Sequence, residues 1–118
     1  MSLKVKICGL KTVNQVKTCI KGNANMIGLM FYNKSPRHIN IESAKKLSNY
    51  ADRKILRVGI FANMEIEEIK KILENVRLDY LQFHGKETIN FLKKIKKITK
   101  VKIIKAIKIL NKNDIKKN

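Results

Sequence analysis

Short apolar runs alternate with amphipathic stretches along the whole chain, and this rhythm limits the possible folds more than any other feature. Leu3 to Cys8 alternates polar and apolar residues as a strand does. Thr12 to Lys21 repeats its apolar residues at helical spacing, with Val13, Val16 and Ile20 on one face and Gly22 as the stop. Met26 to Tyr32 is almost continuously apolar, the pattern of a strand buried on both faces. After the loop Asn33-Lys34-Ser35-Pro36-Arg37, Glu42 to Tyr50 reads as a second helix. Ile55 to Phe61 is a third strand, and Asn63 is placed to cap a helix from Glu65 to Asn75 that aligns Ile66, Ile69 and Leu73. Asp79 to Phe83 is a fourth strand. Glu87 to Lys97 is a fourth helix with Phe91, Leu92 and Ile95 inward, and Val101 to Ile107 is a fifth strand. Asn111 to Asn118 has the pattern of a helix beginning.

Strict alternation of this kind implies an α/β fold with a parallel sheet and right-handed crossovers. The repeat is ~25 residues, which suits both barrels and doubly wound sheets. No Pro/Gly/Ser-rich linker divides the chain, so its 118 residues read as one domain. A closed barrel of eight such units takes about 200–250 residues, more than this chain has.

Charge points first toward polyanions and then away from them. The formal net charge is +18, a surplus of the kind that nucleic-acid-binding chains carry. Yet Lys supplies 23 of the 27 basic residues, and Arg, the residue suited to bidentate reading of phosphate and base edges, only 4. Lys, Ile and Asn together fill 53 positions, while Ala, Gly, Pro and Arg fill 15. AT-rich codons account for that bias without any partner. Nucleic acid is therefore not the expected partner.

Cys8 and Cys19 form no CxxC pair and have no His cluster beside them, which argues against zinc. Leu3 to Leu10 is too short and too interrupted by Lys4 and Lys6 for a signal peptide. No apolar run approaches the ~18 residues of a membrane helix. A reducing cytoplasm and free thiols are the expectation.

In parallel α/β folds the chemistry sits at the carboxyl ends of the strands. Those ends carry Cys8-Gly9, then Tyr32 with Ser35-Pro36-Arg37, then Phe61-Ala62-Asn63, then Gln82-Phe83-His84-Gly85. One thiol, one guanidinium and one imidazole thus come from three different strands toward one face. Alone, each has a plain explanation. A free Cys is usually a buried packing residue, and Arg37, His84 and His38 could be ordinary polar loop residues. Gly9, Gly59 and Gly85 suit tight strand-to-loop geometry.

Taken together and in order, these segments resemble the phosphoribosylanthranilate isomerase family. The resemblance is carried by Lys6-Ile7-Cys8-Gly9-Leu10, by Gly28-Leu29-Met30-Phe31-Tyr32 with Ser35-Pro36-Arg37, and by Val58-Gly59-Ile60-Phe61-Ala62-Asn63. Leu81-Gln82-Phe83-His84-Gly85-Lys86-Glu87 and Ile104-Lys105-Ala106 complete it. One such motif would be weak; five in register are strong. Three departures from the family pattern stand near the first loop and helix: Lys11 in place of a usual Thr, Gln15 in place of an acidic residue, and a Gly22 to Asn25 turn one residue longer than usual.

The resemblance implies a fold and a chemistry. The fold is the N-terminal half of a TIM (β/α)8 barrel, about four βα units plus a fifth strand, with residues 1–118 as a single incomplete domain truncated before strand six. The chemistry is an Amadori rearrangement in tryptophan biosynthesis, an intramolecular aldose–ketose isomerisation of N-(5-phosphoribosyl)anthranilate that needs neither cofactor nor metal. By resemblance Cys8 is the base, Arg37 faces the anthranilate carboxylate, and His84 lines the substrate site. A thiol serves as a base only where neighbouring positive charge or a dipole favours the thiolate. The family's acid follows strand six, and its phosphate-binding loops follow strands seven and eight, so the resemblance places all of these beyond Asn118. A chain cut there would expose two unpaired sheet edges and be inactive until a complementary C-terminal half, or self-association, completed it. The alternative is a non-catalytic half-barrel module that self-associates or binds polyanions through its lysines.

Overall fold

A computed structural model of the chain describes residues 4–105. Five strands and four helices alternate: β1 (Lys6–Cys8), α1 (Val13–Lys21), β2 (Met26–Met30), α2 (Ile41–Ala51), β3 (Leu56–Phe61), α3 (Ile66–Asn75), β4 (Tyr80–Phe83), α4 (Ile89–Ile98) and β5 (Lys102–Lys105). All neighbours pair parallel, in the sequential order β1-β2-β3-β4-β5. That order resolves the ambiguity of the ~25-residue repeat. A doubly wound sheet reverses its strand order partway across. Successive right-handed crossovers without reversal put every helix on the same side, as in a barrel wall.

The strands run shorter than their apolar patterns predict. β1 begins at Lys6, and β2 ends at Met30, whose carbonyl accepts from the Ile39 N–H (2.9 Å). Leu3, the Ala106–Ile107 end of the expected fifth strand and the expected helix from Asn111 lie outside the described residues.

Helix starts follow capping chemistry. Thr12 accepts from the Gln15 N–H and the Gln15 side chain answers the Thr12 N–H, a full capping box, whereas Asn40 and Thr88 cap α2 and α4 only by accepting from the Ser43 and Phe91 N–H groups. The expected Asn63 cap of α3 does not form. The cap position is Glu65, without a side-chain bond. Asn63 instead accepts from the Lys86 N–H (2.7 Å), and its own N–H donates to Glu87 Oε2 (2.8 Å). Two residues separate it from the helix, so its side chain joins the loops after β3 and β4 instead. At the end of α1, Gly22 keeps an ordinary φ of −81°, and Asn23, at φ 61°, makes the reversal. Asn visits the left-handed region readily enough to replace Gly there.

The core lies between the sheet and the helices. Alternate strand residues Ile27, Leu29, Phe61, Leu81 and Phe83 are fully buried against Val16, Leu47, Ile69 and Ile95 of the four helices. Phe31, Phe61 and Phe83 stack in series at 5.3 and 5.6 Å, and Phe91 of α4 meets Phe83 edge-on at 6.0 Å. Cys19 belongs to this layer, where burial pushes its thiol pKa up. One charge also enters it. Arg57 donates to Asp79 through Nε (3.0 Å), to the Ser48 carbonyl through Nη1 (3.2 Å), and pairs with Asp52 (3.4 Å). No helix among the described residues is long and apolar enough to cross a membrane.

Candidate active site

The other sheet face gathers the expected site residues. Because successive side chains alternate, Lys6 and Cys8 of β1, Gly28 and Met30 of β2, Val58 and Ile60 of β3, and Tyr80 and Gln82 of β4 share this face. His84, two residues past Gln82, continues the same row.

Cys8 sits half-buried at the carboxyl end of β1, paired with Gly28. A Cβ on Gly28 would stand 2.7 Å from the Cys8 Sγ and 2.8 Å from Ile60 Cδ1. Gly28 therefore leaves the room that the thiol occupies. Immediately beyond, Gly9 turns the chain at φ +80°, and its N–H donates to the Gly28 carbonyl (3.0 Å). A side chain there would meet the stem of Arg37, with a Cβ only 2.3 Å from Arg37 Cδ. Gly9 is thus demanded twice, by its backbone angle and by the close passage of Arg37. This contact brings the second loop over the first and sets Arg37 beside the Cys8-Gly9 corner.

The departures at Lys11 and Gln15 reinforce that corner. Lys11 Nζ donates to the Pro36 carbonyl (3.1 Å), tying the first loop to the second, and Gln15 Oε1 accepts from the Lys11 and Thr12 N–H groups (2.7 and 3.1 Å). An acidic residue at position 15 could accept the same two bonds, so Gln15 keeps the geometry without the charge.

His84 is held by its N–H donating to the Phe61 carbonyl (2.9 Å). With Tyr32, Ser35, Pro36, Ile60, Asn63 and neighbouring residues it lines an open cavity of ≈ 460 Å³. Cys8 and Arg37 are not among the lining residues of that cavity. The three residues therefore fall into two adjoining groups, Cys8 with Arg37 over Gly9, and His84 with the Tyr32–Pro36 loop. The continuous segment Ser35-Pro36-Arg37 joins them. His38 is exposed and lines a different cavity, with Phe31, Asn33 and Met64.

Two residues on this face escape a reading of motifs alone. Lys6 Nζ donates to Gln82 Oε1, and Gln82 Nε2 lies 2.6 Å from His84 Nε2. Lys6 and Gln82 come from strands with two others between them. The signal that marks each is strand alternation: Lys6 precedes Cys8 by two, and Gln82 precedes His84 by two.

Comparison with known proteins bears on the family and the fold. Residues 5–118 match the family model of N-(5'phosphoribosyl)anthranilate (PRA) isomerase. The chain is 36% identical over 96 residues to the N-(5'-phosphoribosyl)anthranilate isomerase of Bradyrhizobium diazoefficiens, covering 81% of this chain and 43% of that one. The corresponding enzyme of Brucella canis is 40% identical over 97 residues, 80% of this chain and 44% of its own length. The chain thus spans less than half the length of these curated relatives. Among solved structures, the phosphoribosyl anthranilate isomerase of Thermotoga maritima superposes with a TM-score of 0.90 at 33% identity, covering 98% of this chain and 56% of that one. A second structure of such an isomerase, in complex with reduced 1-(o-carboxyphenylamino)-1-deoxyribulose 5-phosphate, also gives 0.90 at 33% identity over 98% of this chain and 59% of its own.

Proposed function

The chain belongs to the N-(5'-phosphoribosyl)anthranilate isomerase family, and from that premise we propose that it supplies the base and the anthranilate-side contacts of this isomerisation. The substrate is the phosphorylated sugar–anthranilate conjugate. Ring opening breaks the C1′–O bond as the ring oxygen takes a proton, leaving an iminium between C1′ and the anthranilate nitrogen. The Cys8 thiolate then removes the C2′ proton, and its electron pair neutralises the iminium as an enolamine. Proton return to C1′, with loss of the 2′-hydroxyl proton as that oxygen becomes the carbonyl, gives the aminoketose. No redox partner is needed, since the hydrogens lost at C2′ and its hydroxyl are balanced by those gained at C1′ and the ring oxygen.

The observation that carries this reading is the Gly9 corner. Gly28 clears space for the thiol, and the Arg37 stem crosses Gly9 beside it. The Arg37 guanidinium suits the anthranilate carboxylate bidentately. His84 lines the adjoining cleft. The acting unit is domain 1–118 together with a complementary C-terminal half that provides the acid and the phosphate grip.

The test mixes the full 118-residue chain with the C-terminal half of a relative and follows isomerase turnover. Activity is expected from the mixture. Cys8→Ala lowers kcat by ~10²–10⁴-fold, the usual worth of a general base. Arg37→Ala acts mainly on KM, by roughly 10–100-fold, as loss of a charged bidentate contact predicts. A folded mixture that turns over equally well with Cys8→Ala removes the assignment.

A further inference from the structure

We propose that Lys6 and Gln82 are positioning residues that set the tautomer of His84, holding its ring proton on Nδ1. The argument is one of donors and acceptors. An ammonium group can only donate. Lys6 Nζ bonds to Gln82, so the carboxamide must turn its oxygen, Oε1, toward Lys6. That orientation leaves the amide nitrogen on the other side, 2.6 Å from His84 Nε2. An amide N–H₂ also can only donate, so Nε2 must accept. A neutral imidazole with one accepting nitrogen carries its proton on the other. The order of polarity Lys6 → Gln82 → His84 therefore starts from the one residue that cannot reverse it.

The chain has a consequence for the cleft that His84 lines. His84 becomes a neutral hydrogen-bond donor through Nδ1, and its Nε2 lone pair is occupied by the Gln82 amide. That nitrogen is denied a base role, which leaves the thiol of Cys8 without a competing imidazole base there. The use of the tautomer rests on the isomerase reading; the tautomer itself does not.

Ring-nitrogen NMR of the full 15N-labelled chain tests this, above the pH at which the rings are neutral, with exposed His38 as internal reference. The unsubstituted chain is expected to show His84 protonated at Nδ1. Gln82→Glu replaces the donating amide with a carboxylate that can only accept, so the proton should move to Nε2. Lys6→Arg, another donor-only cation, should keep the original signature. Lys6→Met, which frees the amide to turn, should give a mixture of both tautomers. An Nε2–H ring or a mixture in the unsubstituted chain overturns the proposal, as does a folded Gln82→Glu chain with an unchanged ring. If Gln82→Glu fails to fold, the unsubstituted chain and the two Lys6 variants decide the matter. No turnover enters the readout. A failed isomerase assay beside an Nδ1–H ring breaks only the functional reading, and the converse breaks only this one.

Discussion

The two faces of the sheet are made from the same five strands and have opposite characters. On the helix side, Ile27, Leu29, Phe61, Leu81 and Phe83 have no exposed surface, and four aromatic rings run in contact from Phe31, just past β2, across β3 and β4 to α4. On the other side Gly28, Val58 and Ile60 are buried, while Leu56 and Ile104 remain 40% and 37% exposed and Lys6, Cys8, Tyr80 and Gln82 are half-buried. Close packing and the proposed chemistry thus fall on different faces. A strand's alternation makes this division possible, because neighbouring residues serve different surroundings.

The comparison breaks first, if it is wrong, at the helix-side aromatics. Phe61→Ala removes the middle ring of the stack and should cost about 3–5 kcal/mol, read from urea unfolding of the chain. A loss under 1 kcal/mol would mean that this face is not the core.

Arg57 sharpens the comparison, since it is a charge inside the apolar layer. Arg57→Ala strands Asp79 and the Ser48 carbonyl. The expected loss is about 2–3 kcal/mol, below that of a fully buried pair because Asp52 and Asp79 keep contact with water. Arg57→Met, which restores the apolar volume, should recover part of it.

On the open face, Leu56→Ser and Ile104→Ser should each change stability by less than ~0.5 kcal/mol. A core-sized loss at either would show that a further surface covers this face in the folded protein.

The smallest effect is a pH dependence confined to the helix side. Burial raises the Cys19 thiol pKa above that of the unfolded chain. The folded state then holds its proton more tightly. Its contribution is complete below the ordinary thiol value and is lost as pH rises through the raised one. Unfolding free energy should decline with alkaline pH across that window, and Cys19→Ala should flatten the decline.

Much of this was legible in the chain. The buried run from Met26, the helical face of Val16 and the thiol of Cys8 before a glycine are local patterns. Each is set by residues a few positions apart. What misled the reading was also local: Asn63 has the composition of a helix cap, but its side chain joins the next loop instead. A cap and a loop tie use the same carboxamide, and only the position of Lys86, 23 residues on, decides between them.

By itself the sequence determined the order of the strands and helices among the described residues and the family to which they belong. Those follow from periodicity, capping and motif order. The tertiary structure alone decided that the strands run in sequential order along one sheet, that Arg37 crosses Gly9, and that Lys6 reaches Gln82. Through the ladder, Lys6 is level with Met26 and Leu56, four residues short of Ile60, which pairs with Gln82. Strands of a barrel wall tilt by about 36°, which over three strand spacings offsets levels by about three residues. Tilt and curl bring the two side chains together, and neither is encoded by any short stretch of residues.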